Sequence, residues 1–251
     1  MHRLCVVIPI YKEILTENEN YSVMKYIEKL NHYDIYFICP FGLNTIFYHQ
    51  HYPNVQYEYF SPCFFENNKS YNKLMLNVLF YKRFSPYDYI LIAQTDAMII
   101  GDEHVLEEMM EAEYDYTGAP WFEPLYSYPL SIKDKIKKLV ISHPEQCLVG
   151  NGGFSLRKIE SCIRLIEANS LYLKLLWHFN EDYFFSYRGM CEKYKFRIAP
   201  VGMAEKFALE QHMNILIEKG EIPFAVHAWE KYYSSYEELC MSVRKGIEKK
   251  N

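Results

Sequence analysis

Residues 89–100 read Y-I-L-I-A-Q-T-D-A-M-I-I. Tyr87–Ala93 is a short apolar run of the kind that fills a buried strand. It stops at Gln94 and Asp96, and apolar residues resume at Ala97. A carboxylate at the carboxyl end of such a strand sits where ligands gather in open α/β sheets. It also suits a hard divalent cation whose shell is completed by phosphate oxygens. Asp96 reads equally as the side chain of an Asx-turn that closes the strand.

Upstream, Ser70–Phe84 places Leu74, Leu76, Val78, Leu79 and Phe80 on a broad apolar face, which predicts one helix. Val55–Phe60 and Asp34–Cys39 predict strands, the latter ended by Pro40–Phe41–Gly42. Asn20–Leu30 has helical spacing, and L-C-V-V-I-P-I at 4–10 is a buried strand. Strand and helix alternate through the first hundred residues. That implies an α/β fold with a mainly parallel central sheet and helices on both faces.

The second half is less regular. Helices are expected at Glu103–Glu113 behind Asp102, and at Ile132–Val140, Lys158–Ala168, Asp182–Tyr194 and Tyr236–Lys249. Tyr116–Ile132 reads as a long ordered loop, Gly150–Ser155 as a turn entering a strand, and Pro223–Ala228 as a late strand. The expectation is a single domain over 1–251. Residues 1–100 form its nucleotide half, 101–230 its acceptor half and 231–251 a closing helix.

The chain has 251 residues, half of them hydrophobic, and a net charge of -5. That composition supports a sizeable core and argues against a dedicated nucleic-acid binder, which is usually basic. No apolar run approaches the roughly 20 residues of a bilayer span. The seven cysteines show no C-x-x-C spacing, so neither a zinc knuckle nor a thioredoxin-like motif is expected. Reduced thiols and a cytoplasmic placement fit best. Lys133–Lys138 and the closing helix with Arg244, Lys245, Lys249 and Lys250 read as solvated faces. Peripheral contact with anionic headgroups at the inner face of a membrane is the alternative.

Three further segments bear chemistry. V-G-N-G-G-F-S-L-R at 149–157 has three glycines in four positions, which permits positive φ or close backbone approach to a ligand. Asn151 could hydrogen-bond a sugar hydroxyl. Gly153-Phe-Ser155-Leu-Arg157 misses a hydrolase nucleophile elbow, because Arg157 replaces its last glycine. N-E-D-Y-F-F at 180–185 pairs two carboxylates at a helix start, as general acid–base work or as a helix-dipole device. P-F-A-V-H-A-W at 223–229 sets His227 in an apolar run, as a core histidine or as a metal ligand beside Asp96. There is no G-x-G-x-x-G, P-loop or H-E-x-x-H.

Taken in order, Gln94–Ala97, Asp115–Trp121, Gly150–Arg157, Asn180–Asp182 and Pro223–His227 resemble motifs of the GT-A-fold glycosyltransferases. They are similar in particular to an uncharacterised glycosyltransferase-like group catalogued as a domain of unknown function. There Q-x-D-A, D-Y-x-G-A-P-W, G-N-G-G-F-S-L-R, N-E-D and P-F-x-x-H recur. The resemblance spans about residues 4–230.

It implies a nucleotide-sugar donor and a glycan or lipid-linked acceptor. Pro9, Tyr11 and Lys12 would seat the nucleotide, with Gln94, Asp96, Asn151 and Gly152 also on the donor. Asp96 and His227 would hold Mn²⁺ or Mg²⁺, although Gln94 replaces the first acid of D-x-D. Asp182, with Glu181 beside it, would be the general base of an inverting transfer in polysaccharide biosynthesis. Trp121, Phe122, Tyr126 and Tyr128 either line the acceptor side or pin their loop to the core. A nucleotidyltransferase and a non-catalytic glycan- or protein-binding relic are the rival readings. The sugar-transfer reading requires Asp96, Asp182 and His227 to meet at one rim of the sheet, beside Gly150–Gly153.

Overall fold

The computed structural model describes residues 2–122 and 148–250. Strand β1 (Leu4–Pro9) leads through helix α1 (Glu17–Leu30), β2 (Asp34–Pro40), α2 (Ile46–His51), β3 (Gln56–Phe60), α3 (Asn68–Met75) and α4 (Val78–Arg83) to β4 (Tyr89–Ala93). Then come β5 (Ala97–Ile99), α5 (His104–Glu111), β6 (Tyr116–Pro120), β7 (Val149–Lys158), α6 (Ile159–Ala168), α7 (Ser170–Leu175) and α8 (Glu181–Gly189). The chain closes with α9 (Val201–Phe207), β8 (Ala208–Leu209), α10 (Met213–Glu218), β9 (Ala225–His227) and α11 (Tyr236–Lys250).

The main sheet has the order β3-β2-β1-β4-β7-β6. Pairings β1–β2, β2–β3 and β1–β4 are parallel, and β7 runs antiparallel to both β4 and β6. Every strand of this sheet but β7 therefore points the same way, which is the mainly parallel sheet that the strand–helix alternation predicts. The alternation of side chains explains why β1 and β4 are apolar throughout. Leu4, Val6, Ile8, Tyr89 and Leu91 face one core, toward α1 and α5. Cys5, Val7, Ile90 and Ile92 face the other, toward α4, α6 and α8. A small sheet, β5-β9-β8, covers a third core built on Met98, Val226 and Trp229.

Four expectations change. The predicted helix Ser70–Phe84 is two helices, because the Asn77 side chain accepts from Leu79 N and caps α4. Leu79, placed on the buried face by its spacing, is therefore exposed. The predicted loop begins instead with β6, whose Gly118 lies against the Asn151 backbone so closely that a Cβ would collide with it. Gly150–Ser155 is not a turn but part of the ten-residue strand β7, and its glycines do not have positive φ. Helix Asp182–Tyr194 ends at Gly189, packed on the Phe196 ring, and a 3₁₀ turn follows at Glu192–Tyr194.

The helix expected at Ile132–Val140, together with Tyr126, Tyr128, Lys133–Lys138 and Cys147, lies outside the described residues. Among the described residues, the six cysteines are unpaired and no helix is long and apolar enough to cross a membrane.

Candidate active site

From β1 the chain builds β2 and β3 on one side, then returns to β4 on the other. The carboxyl ends of β1 and β4 thus flank a topological switch point, where open α/β sheets bind ligands. A cavity of about 440 Å³ opens there, lined by Pro9, Tyr11, Gln94, Thr95, Asp96 and His227 among others. Its floor is a β-turn in which Gln94 O accepts from Ala97 N at 3.0 Å. The buried Tyr26 hydroxyl clamps this turn by donating to Gln94 O at 2.8 Å and to Ala97 O.

Lys12 sits apart from that cavity. Its ammonium is 2.7 Å from Glu19, and it lines a neighbouring cavity of about 520 Å³ that also reaches Asp96. Glu19 closes the capping box of α1 with Thr16 and accepts from Thr95 Oγ1 at 3.2 Å. The strand-end turns of β1 and β4 are tied together through it.

His227 reaches the site because β9 pairs with β5 directly opposite Ala97, and because Ala228, in the left-handed region at φ 51°, donates to Asp96 O at 2.9 Å. Its Nε2 lies 3.3 Å from Asp96 Oδ1, and its Nδ1 lies 3.9 Å from Glu210 Oε1. Burial pulls the His227 pKa down, but Asp96 and Glu210 outweigh it and hold the imidazole above its ordinary value. Burial likewise pushes the Asp96 carboxyl up, and His227 outweighs that and holds it below the ordinary value.

Glu210 was not a candidate from the sequence. Lys231 at 2.9 Å and the Asn151 amide fix its carboxylate behind the imidazole. Asn151, whose Oδ1 also accepts from Gly153 N at 3.1 Å, is thus buried in the wall of the site, outside the 440 Å³ cavity.

Neither buried nitrogen of His227 makes a well-aligned hydrogen bond. Two ligands held about 2.1 Å from one small cation lie roughly 3 Å apart. The Asp96–His227 separation fits that arrangement, with a carboxylate suited to Mn²⁺ or Mg²⁺ and an imidazole that favours the transition metal Mn²⁺ of the two. Among the described residues no group of three or more such side chains gathers around one point. Asp96 and His227 would supply two ligands of such an ion, and phosphate oxygens suit further positions of its shell.

Glu181 and Asp182 approach from the other side of β7. A Cβ on Gly153 would fall inside the His227 imidazole, and one on Gly152 would fall on Glu181 Oε1 and against Asp182. The two glycines thus serve as the thin partition between the histidine and the acids. Gly153→Ala is expected to displace His227 and, as overpacking, to cost about 1–3 kcal/mol. Urea denaturation with the His227 ring resonances as a local probe checks this. An unmoved ring and unchanged stability would show that the partition tolerates a methyl group.

The two acids differ. Glu181 is buried and spent: Arg157 Nη2 donates to it at 2.9 Å. Arg157 is fully buried, also donates to Ser155 Oγ and the Tyr81 hydroxyl at 3.0 Å each, and stacks near Tyr116 and Phe185. Asp182 is only partly buried and accepts from Tyr183 N at 2.6 Å. Burial first, then the Glu181 charge, push its carboxyl up to about 7, against the Tyr183 amide and Arg157. A carboxyl poised there suits proton abstraction near neutral pH.

Asp96 and His227 therefore share one cavity with Pro9, Tyr11 and Gln94, and Glu181 and Asp182 lie across Gly152–Gly153 from His227. Of the aromatic loop, Trp121 is buried against Gly150, and Phe122 packs edge-on to His212 at 5.4 Å. Both pin the chain to the core.

A family model described as "Protein of unknown function (DUF5672)" matches residues 54–227. No curated protein matches the sequence. Among solved structures, mouse xyloside xylosyltransferase 1 in its apo form aligns with TM-score 0.54 at 12% identity, covering 90% of this chain and 97% of that one. The apo structure of the bifunctional glycosyltransferase WbbM aligns with TM-score 0.52 at 11% identity. That alignment covers 98% of this chain, which spans 50% of the WbbM chain. The fold is that of the GT-A glycosyltransferases.

Proposed function

This chain belongs to the family described as "Protein of unknown function (DUF5672)" and has a GT-A fold, and from that premise we propose that it is a glycosyltransferase. It moves a sugar from a nucleotide-diphosphate donor to a hydroxyl of a glycan or lipid-linked acceptor. The observation that carries this reading is the meeting of Asp96 and His227 with Glu181 and Asp182 on the two sides of Gly152–Gly153, at the switch point of the sheet. The two aligned fold relatives being glycosyltransferases supports it.

Pro9 and Tyr11 flank the nucleotide, and Gln94 and Asp96 face its diphosphate. Asp96 and His227 would hold Mn²⁺ or Mg²⁺, which when bound neutralises charge on the leaving diphosphate. Glu210 keeps the imidazole oriented from behind, as carboxylates do for metal-binding histidines. Asp182 takes the proton from the acceptor hydroxyl as the sugar develops oxocarbenium character, which entails inversion at the anomeric carbon. Glu181 is not that base, because Arg157 already holds its charge.

Calorimetric titration with a panel of nucleotide-sugars and nucleoside diphosphates, with and without Mn²⁺, tests the donor assignment. At least one donor is expected to bind more tightly with Mn²⁺, and Asp96→Asn is expected to remove that difference. A protein that binds no nucleotide, or that prefers a nucleoside triphosphate, would overturn the reading.

A further inference from the structure

A second cavity, of about 980 Å³, lies between α3 and the segment from α7 to Asn180. Asn68 lines both it and the 440 Å³ cavity, so the two adjoin. Asn72 and Asn180, which also line it, bond each other at 3.2 Å, and Asn72 Oδ1 accepts from Glu181 N at 3.1 Å. The groove thus ends at the helix start that carries Asp182.

Its chemistry is two-sided. Phe64, Leu76, Val78, Ile166 and Leu173 give it an apolar floor. Lys69, Lys73 and Lys174 give it three cations; among the described residues no carboxylate lines it, and none of the three lysines makes a salt bridge. Trp177, another of its walls, is 8% exposed, and its indole N–H is buried without an acceptor. Beside the groove, α7 buries none of its six residues, and Leu171 and Leu175 stand 69% and 58% exposed.

A neutral glycan would leave three unpaired lysines and an aliphatic floor without purpose. An anionic glycan would answer the lysines but not the floor or the outward leucines. A molecule with a phosphate head and a hydrocarbon chain answers all of them: lysine is a point-charge partner for phosphate, and the chain covers apolar surface. We infer that this groove seats a lipid-linked acceptor, with Lys69, Lys73 and Lys174 on its phosphates and the chain leaving over the leucines of α7. This rests on the sugar-transfer reading, since it names that reaction's acceptor class.

Farnesyl diphosphate serves as a soluble probe, titrated against farnesol, inorganic pyrophosphate and a hexauronate. Farnesyl diphosphate should bind more tightly than either of its parts. K69Q/K73Q/K174Q should weaken it by about fivefold per lysine, roughly a hundredfold together. Nucleoside diphosphate binding should stay unchanged in that variant, which places the probe in the groove rather than in the donor cavity. Pyrophosphate binding as well as the farnesyl ester would remove the lipid. Preference for the hexauronate would replace it with an anionic glycan, and no binding would end the proposal. If farnesyl diphosphate binds and no nucleotide does, the groove stands and the transfer reading falls.

Discussion

Asp182→Asn is expected to lower turnover by about 10²–10⁴-fold, the contribution typical of a positioned general base. Nucleotide affinity should hold, because Asp182 is not among the residues lining the donor cavity. The amide keeps the shape of the side chain and can no longer accept the proton. The pH profile gives an independent readout. With its carboxyl pushed up to about 7 by burial and by Glu181, Asp182 is mostly protonated, and inactive as a base, below that pH. Turnover should therefore rise through pH 7 to a plateau. Glu181→Gln removes the neighbouring charge and should move the rise to lower pH.

The same shift has a sign for stability. The folded chain holds the Asp182 proton more tightly than an unfolded chain does, so this group favours folding in acid. Its contribution fades as pH climbs from the ordinary carboxylate range to about 7. A pH-independent turnover, or an Asp182→Asn enzyme of unchanged rate, would remove the base assignment. A product of retained anomeric configuration would do the same.

The parallel half of the fold was legible because each of its strands carries its own signal. β1 and β4 are buried on both faces, so they are apolar at every position and need no partner to be recognised. Asp96 and His227 stood out for the same reason, as polar residues set in apolar runs. What stayed hidden depends on pairs far apart in the chain. Glu210 matters only because β8 pairs with β9 beside His227, and Lys12 is occupied only because α1 brings Glu19 to it. The glycines of β7 announced close approach, but what approaches Gly152 and Gly153 comes from α8 and β9, which no local pattern reveals. The break at Asn77 escaped because an apolar stripe does not register a side chain that caps the next helix.

The Arg157–Glu181 pair governs the second large effect. Arg157 sits in β7, fully buried, and its partner lies 24 residues on, at the start of α8. Arg157→Met would leave the Glu181 carboxylate buried and unpaired, and would strip donors from Ser155 and Tyr81. Removing one member of a buried pair costs about 3–5 kcal/mol. For a chain of this size that corresponds to a melting temperature roughly 6–20 °C lower. The double replacement Arg157→Met with Glu181→Leu should recover most of the loss, since an apolar pair of similar volume removes the stranded charge. Thermal and urea unfolding of the single and double variants checks both halves. If the double variant is no more stable than Arg157→Met alone, the loss comes from the packing of the guanidinium beside the stacked Tyr116 and Phe185 rings rather than from the stranded acid. The distinction bears on the site, because the Glu181 charge that Arg157 compensates also raises the pKa of Asp182. The Arg157 cation itself holds the Asp182 carboxyl down, so the rise of the pH profile should move to higher pH in the Arg157→Met enzyme. The double variant also loses the larger, opposite effect of Glu181 and should bring the rise below the wild-type position.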